Sequence, residues 1–179
     1  MDNDYIRIMR MTDDHIPSFR ECLCSVARER AYLAFTEAPP LEEVETFVRG
    51  SREGGAVQYV AMDDLGGVAG WCDIIPVDME GFRHVGRLGI GVRSRDRGHG
   101  IGKLLMEAAI MEAPRRGIER VELEVFASNA RAAALYRRFG FEMEGMRRRA
   151  RKLDGVYEDL IMMALFPGSV EAGNGGDGT

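Results

Sequence analysis

The stretch that decides the fold is residues 84–106, HVGRLGIGVRSRDRGHGIGKLLM. Its first part, 84–92, predicts a β-strand, and its glycines are of the kind that mark a bulge or a close approach of backbone. A polar, glycine-bearing loop follows. After the loop comes a helix in which Ile101, Leu104, Leu105 and Ala108 are expected to share one face. The stretch therefore predicts a strand, a loop and a helix in direct succession.

The glycines of the loop favour a bound anion. Backbone N–H groups approach a ligand closely where side chains are absent, and the first N–H groups of a helix attract negative charge. A Walker A loop is excluded because Arg97 stands at its first glycine and Leu104 at its Ser/Thr position. A dinucleotide fingerprint is excluded because Lys103 stands at its last glycine. The loop is predicted to hold phosphate, the alternative being a glycine-rich connection without a ligand.

The rest of the chain predicts a mixed sheet with helices on both faces, of class α/β or α+β. Further strands are predicted over 5–10, 56–62, 67–75, 119–126, 141–149 and 156–166. Further helices are predicted over 12–30, 41–49 and 128–139, with Gly50 ending the second of these. The strand–helix–strand order up to residue 126 predicts a parallel crossover. We expect one domain over 1–167 and a disordered, glycine-rich tail over 168–179.

Composition excludes several classes of protein. The 179 residues carry a net charge of −5, which disfavours nucleic-acid binding because phosphate contacts need a basic face. No apolar run approaches the roughly 20 residues of a membrane span, and the N-terminus MDNDYIRIMR lacks an apolar signal core. Cys22, Cys24 and Cys72 cannot all pair, so they are predicted to be reduced, in the cytoplasm. The closely spaced Cys22 and Cys24 are too few for a zinc site, which usually has four ligands, and no metal is expected.

A second motif lies at 128–141, SNARAAALYRRFGF. Ser128 or Asn129 can cap its helix, and Gly140 can end it. The small residues between them permit close approach of another helix or of a ligand. Tyr136 lies two turns from the cap, where a tyrosine most often packs half-buried with its hydroxyl at the rim.

Together the two motifs resemble those of the GNAT superfamily of acyl-CoA-dependent N-acyltransferases. The family's loop, Gln/Arg-x-x-Gly-x-Gly/Ala, is matched by Arg97, Gly100 and Gly102, and its second motif by Asn129, Ala130, Leu135, Tyr136, Gly140 and Phe141. The resemblance covers residues 84–166 and, by the order of elements, 5–75. It implies a mostly antiparallel central sheet of about seven strands, splayed between the fourth and fifth.

The resemblance implies acetyl-CoA as the co-substrate. The main chain of Ile90, Gly91 and Val92 would pair with the pantetheine arm and polarise the thioester carbonyl. Tyr136 would protonate the departing thiolate as general acid, because a phenol with a pKa near 10 suits a thiol near 8.5. Backbone amides of the loop would surround the pyrophosphate, and Asn129 would hold the end of the pantetheine arm. The other implied coenzyme-binding residues are Arg97, Gly98, His99, Gly100, Ile101, Gly102, Lys103, Asn129 and Ala133.

The general base is not assigned by the sequence. Many members of the family use a carboxylate on the fourth strand, whereas residues 84–92 contain none. The nearest candidates by topology are Asp73, Glu122, Glu124 and Glu37. Loss of the amine proton to water is the alternative.

The resemblance implies an N-acetyltransferase acting on a primary amine of a small molecule, such as an amino acid, by direct attack. The residues expected near the amine are Glu29, Tyr32, Phe35 and Glu37, whereas the basic run 147–152 would suit an acidic substrate, so substrate charge stays open. The alternatives are acetylation of a peptide N-terminus, a non-catalytic acyl-CoA sensor, and a nucleotide or sugar-phosphate binder of another fold. A cytoplasmic homodimer is expected, because members of the family often pair through the edge strands or the last hairpin, where some of residues 160–163 need cover.

Overall fold

The computed structural model describes residues 6–168, and the fold within them is a single sheet flanked by helices. The strands are β1 (Arg7–Arg10), β2 (Val57–Met62), β3 (Val68–Pro76), β4 (Val85–Val92), β5 (Arg120–Phe126), β6 (Glu142–Leu153) and β7 (Val156–Leu165). The helices are α1 (Ile16–Ala27), α2 (Leu41–Glu53), α3 (Ile101–Glu112) and α4 (Ala130–Arg138). Short 3₁₀ turns lie at Asp13–His15, Glu80–Phe82, Ser94–Asp96 and Ala113–Arg116.

The seven strands lie in the order β1-β2-β3-β4-β5-β7-β6, and all neighbours are antiparallel except β4 and β5. This parallel pair confirms the predicted crossover. Pairing of β4 with β5 stops at Arg87 and Glu122, although β4 continues to Val92 and β5 to Phe126. The two strands therefore part at their C-terminal ends, as the predicted splay requires.

Each face of the sheet carries its own apolar core. On one face, the α3 residues Ile101, Leu105 and Ala109 pack in a cluster with Cys72 and Tyr136. On the other face, Phe19 of α1 and Val48 of α2 pack with Trp71, and the Phe19 and Trp71 ring centroids are 5.6 Å apart. The predicted arrangement of helices on both faces is confirmed.

Two local predictions about helices were wrong. Helix α2 continues through Gly50 and ends at Glu53, with Gly54 as its C-cap, because burial of Val44 and Val48 outweighs the roughly 1 kcal/mol that a helical glycine costs. In α3 the fully buried row is Ile101, Leu105, Met106 and Ala109, while Leu104 and Ala108 are only partly buried. The face of α3 that is buried against the sheet is therefore rotated about the helix axis from the face that the sequence pattern predicted.

The last hairpin turns at Asp154 and Gly155, as predicted, and both have positive φ. Strand β6 is longer than predicted, and it is bulged between Arg147 and Arg151. Of the residues expected to need cover, Ile161 and Met163 are buried within the chain. The predicted tail lies outside the described residues except for Gly168. Among the described residues, we find no helix with the length and apolarity needed to cross a bilayer.

Candidate active site

A cleft of about 1130 Å³ opens where β4 and β5 part. Its walls come from the end of β4, the loop 93–100, the start of α3, the end of β5 and α4. Its volume lies just above the range of roughly 300 to 1,000 Å³ that is typical of small-molecule sites. The predicted coenzyme-binding residues that line it are Ile90, Gly91, Val92, Arg97, Gly98, Gly100, Ile101, Gly102, Lys103, Asn129 and Tyr136. Of the other predicted coenzyme residues, Ala133 is buried in the core and His99 is exposed on the loop outside the lining.

The loop has the geometry of an anion cradle at the start of α3. Gly98 and Gly100 both have positive φ, and Gly100 is the N-cap of α3 without a side-chain cap. A Cβ built at Gly100 would meet no atom within 4 Å, so the backbone there faces open space. The first N–H groups of the twelve-residue helix are therefore available to an anion at the cleft.

The loop is anchored from behind by buried charge. The Arg93 guanidinium donates to Asp96 at 2.7 Å and to Asp63 at 2.8 Å, and all three side chains are largely buried. Asp63 also accepts the N–H groups of Leu65 and Gly67 in the turn between β2 and β3. The guanidinium and these N–H groups hold the pKa of Asp63 below its usual value, although burial opposes them. The loop is thus fixed to the β2–β3 turn.

Two cations of the cleft were missed by the sequence reasoning. Arg131 and Arg138 line the cleft along with Lys103. They lie seven residues apart on α4, and this spacing, which places them on one helix face, was the available signal. A guanidinium nitrogen of Arg131 lies 3.6 Å from the position of a Cβ on Gly98. The start of α3 therefore has positive charge beside its open N–H groups.

Arg97 is engaged by the protein itself. Its guanidinium donates to both carboxylate oxygens of Glu29 and, at 2.8 Å, to the carbonyl of Val92. It also lies over the Tyr32 ring at 4.6 Å from the centroid. The structure therefore joins two predicted substrate residues, Glu29 and Tyr32, to the loop, and Tyr32 lines the cleft.

The other two predicted substrate residues lie away from the cleft. Glu37 binds the Arg28 guanidinium at 2.8 Å and accepts the Cys24 thiol at 2.9 Å. The guanidinium lowers the pKa of Glu37 below its usual value. Phe35 is exposed and is not part of the cleft lining.

Asn129 and Tyr136 are positioned by α4. Asn129 caps the helix, and its Oδ1 accepts the N–H of Ala132 at 3.2 Å. Tyr136 follows two turns later, lies against Phe141 and is 7% exposed at the cleft wall. Burial raises the pKa of the Tyr136 phenol well above its usual value. The phenol therefore stays protonated at neutral pH.

The carboxylates near the splay differ in their partners. Glu122 binds Arg87 and Arg120, and Glu124 binds Arg147. Asp73, on β3, has its pKa raised to about 7 by burial, which the N–H of Gly89 partly offsets. Among residues 6–168, no group of three or more His, Cys, Asp or Glu side chains could hold a metal ion.

The sequence model of the acetyltransferase (GNAT) family matches residues 16–141, which is most of the chain. The chain belongs to the GNAT acetyltransferase family. It is similar to the L-amino acid N-acetyltransferase AaaT of Escherichia coli K12, with 35% identity over 111 residues, 62% of this chain and 68% of that protein.

Two further similarities lie within the same family. An L-methionine sulfoximine/L-methionine sulfone acetyltransferase of Pseudomonas paraeruginosa is 34% identical over 59% of this chain and 62% of its own length. The solved ribosomal-protein-alanine N-acetyltransferase of Brucella melitensis is 27% identical, with a TM-score of 0.84 over 89% of this chain and 99% of that one. This GNAT chain is thus an N-acetyltransferase. The solved phosphinothricin acetyltransferase of Sinorhizobium meliloti, which shares the fold with a TM-score of 0.86 at 19% identity, contains acetyl-CoA as its acetyl donor.

The described residues fit that donor. The open N–H groups at Gly100 and the cations beside them suit a pyrophosphate. Beyond Arg87, the edge of β4 that faces β5 has no strand partner, so it can pair with an extended amide-bearing arm.

Proposed function

We propose that this GNAT enzyme transfers the acetyl group of acetyl-CoA to the primary amine of an amino acid or a related small molecule, by direct attack in a ternary complex. The observation that carries the proposal is the continuous cleft, which joins the anion cradle at Gly100 to the splayed edge of β4 and to Tyr136. The similarity to an L-amino acid N-acetyltransferase and to a methionine sulfone acetyltransferase supports the substrate class.

The chain's own residues divide the work along the cleft. Amides at the start of α3, with Lys103, Arg131 and Arg138, bind the pyrophosphate and phosphate end. Asn129 and the main chain of 90–92 hold the pantetheine arm, and N–H groups of that strand edge polarise the thioester carbonyl. The thioester supplies an activated acyl group with a thiolate leaving group.

Tyr136 donates the proton that the departing thiolate takes up. Its phenol lies at the cleft wall, and no hydrogen bond within the described residues occupies it. Its pKa is raised by burial, so the phenol arrives protonated. The same low-polarity surroundings disfavour a free thiolate, which increases the tendency of the leaving group to accept the proton.

Acetylation of a peptide N-terminus is the second candidate. The observation that favours it is the likeness to the ribosomal-protein-alanine N-acetyltransferase of Brucella melitensis over nearly all of that structure. A thiol-release assay with acetyl-CoA separates the two. It uses free L-amino acids, methionine sulfone, polyamines and peptides with alanine at the N-terminus. Release with free amino acids alone supports the first function, and release with peptides alone supports the second. Retained acetyl-CoA binding without release for any amine would favour a sensor.

The functional unit is proposed to be a cytoplasmic homodimer of a single domain spanning residues 1–167. The three cysteines are unpaired and buried, which accords with a reducing compartment. Strand β6 is an edge of the sheet, and it exposes Met143 and Met146, which are 50% and 43% accessible. A second copy of the chain would cover these two side chains.

A further inference from the structure

A polar row crosses the sheet on the face that carries α1 and α2. Gln58 of β2 lies opposite Asp73 of β3, and Asp73 lies opposite Gly89 of β4. Residues directly opposite each other in an antiparallel ladder share a face. The same face carries Trp71, which packs on Phe19 of α1. The row therefore lies on the side of the sheet away from α3 and Tyr136.

The carboxyl of Asp73 lies over Gly89, a residue that lines the cleft. A Cβ built at Gly89 would come within 2.7 Å of Oδ1 of Asp73, so any side chain there would displace the carboxylate. A Cβ at Gly91 would likewise overlap the Trp71 indole. The two glycines thus let side chains of β3 cover β4, and the Asp73 carboxylate lies over the part of β4 that no longer pairs with β5.

The neighbour of Asp73 in this row needs a hydrogen-bond donor. Oε1 of Gln58 is buried and has no hydrogen-bond partner among the described residues. A buried acceptor without a partner costs free energy, which a donor ligand recovers. An amide oxygen beside a carboxylate offers two acceptors to one N–H-bearing group, and a protonated primary amine is such a group.

Asp73 is the one acid at the splay without a cationic partner among residues 6–168. Glu122 and Glu124 across the gap are paired with arginines, and such pairing weakens a carboxylate as a proton acceptor. Glu29 and Glu37 are paired as well. Asp73 forms none of the ion pairs found in the described part of the chain.

The groups around Asp73 are uncharged or are paired with other residues, and within the described residues the one titratable group that its charge acts on is the Cys72 thiol. Its row neighbours on β2 and β4 are uncharged, and Arg87 on β4 is directed to Glu122. From α1, the Cys22 thiol packs into the same core, and burial raises its pKa to about 12. From β3 itself, the Cys72 thiol lies on the opposite face, and burial raises its pKa well above the usual value.

We propose that Asp73 is the general base, and that the amine binds beside it and Gln58 on the α1 and α2 face of the splay. This inference rests on the proposed function. One carboxylate oxygen of Asp73 takes a proton from the substrate ammonium, and the freed lone pair forms the N–C bond to the acetyl carbon. The C–S bond breaks and the thiolate takes the proton of Tyr136, while the amide nitrogen loses its remaining excess proton to solvent. Solvent then reprotonates the Tyr136 phenolate, and Asp73 releases its proton to solvent, so that one proton is released per turnover. The raised pKa of Asp73, about 7, suits a base that works near neutral pH.

The test compares Asp73→Asn with the wild type and with Asp64→Asn, whose carboxyl is exposed in the β2–β3 turn. We expect Asp73→Asn to bind acetyl-CoA with unchanged affinity by calorimetry, while kcat/KM for the amine falls by roughly 10²-fold or more. In the wild type, kcat/KM should rise with pH through about 7, and Asp73→Asn should lose this limb. Asp64→Asn should keep both the rate and the limb.

An amine series separates a base from a structural residue. The probes are a free L-amino acid, its amide and hydroxylamine, whose amine pKa values fall in that order. The deficit of Asp73→Asn relative to the wild type should shrink along the series, because an amine that arrives neutral needs no base. If Asp73→Asn loses the same factor in kcat/KM for all three amines, or if it is as active as the wild type, Asp73 is not the base. Either result leaves the proposed function of the protein standing. A wild type that acetylates no amine overturns the proposed function and this role with it.

Discussion

Arg97 and Glu29 form a bidentate ion pair between the glycine loop and the segment that follows α1. Both side chains are largely buried, and the Arg97 guanidinium also holds the carbonyl of Val92 at the end of β4. The first residue of the family's loop motif therefore connects three parts of the cleft wall. Its contacts place it in a positioning role, with the phosphate end left to the cations of α3 and α4.

Removal of the Glu29 carboxylate should loosen this connection. We expect Glu29→Gln to lower the free energy of unfolding by about 1 to 2 kcal/mol, because a charged hydrogen-bonded pair is lost. This corresponds to a fall in Tm of a few degrees for a domain of this size. Glu45→Gln, which removes an exposed pair with Arg49, should change Tm by less than about 2 °C. Equal melting temperatures for the two variants would contradict the anchoring role.

The anion cradle can be tested with glycines that share a conformation. Gly100→Asp should abolish acetyl-CoA binding in calorimetry, because it places a negative side chain at the open start of α3. Gly117 has nearly the same φ and equally open surroundings but lies beyond the far end of α3, after the 3₁₀ turn Ala113–Arg116. Gly117→Asp should therefore suffer the same backbone strain and keep its affinity. Loss of affinity in both variants would indicate strain and not charge.

The acid role of Tyr136 predicts a separation of binding from turnover. Tyr136→Phe should bind acetyl-CoA as the wild type does and lose roughly 10²-fold in kcat. Because burial raises the pKa of this phenol, ionisation of Tyr136 should cause no loss of the wild-type rate up to a pH of about 10. Tyr157→Phe, on the exposed hairpin, serves as the matched control. Normal turnover of Tyr136→Phe would remove the assignment.

Asp73 should make stability depend on pH in a defined direction. Its pKa is raised to about 7 in the folded state from an ordinary value of 3.8, so the folded state holds the proton more tightly than the unfolded state. Unfolding then becomes easier as pH rises from about 4 to 7. Asp73→Asn should therefore have a higher Tm than the wild type at pH 8 and a similar Tm at pH 4. A difference of opposite sign at pH 8 in thermal melts would refute the raised pKa.

The dimer proposal predicts that the exposed methionines of β6 are covered in solution. The wild type should sediment as a dimer at micromolar concentration. Met143→Glu and Met146→Glu should sediment as monomers, because each would place a charge in an apolar contact. Met111→Glu, on the exposed side of α3, should leave the dimer intact. A monomeric wild type would remove the proposal.

The sequence by itself determined the order of the elements, the parallel crossover, the glycine loop before α3 and the capped helix that carries Tyr136. These features depend on signals within a few residues of each other: periodicity, the glycines at the start of α3, and Asn129 with Gly140 around α4. These local sequence signals gave wrong predictions of a helix end and of a buried helix face, where burial of side chains favoured a different result. Gly50 remained helical because the valines of α2 are buried, and the buried face of α3 followed the sheet.

Only the tertiary structure decided which carboxylate is free. Apart from Arg120, which is two residues from Glu122, the arginine partners of Glu29, Glu122, Glu124 and Glu37 lie between 9 and 68 residues away along the chain, so no local pattern reveals them. The placement of Asp73 over Gly89 depends on the register of β3 with β4. Ion pairing and cross-strand register are set by packing of distant segments, and for this reason only the folded chain distinguishes Asp73 from the other three candidate bases.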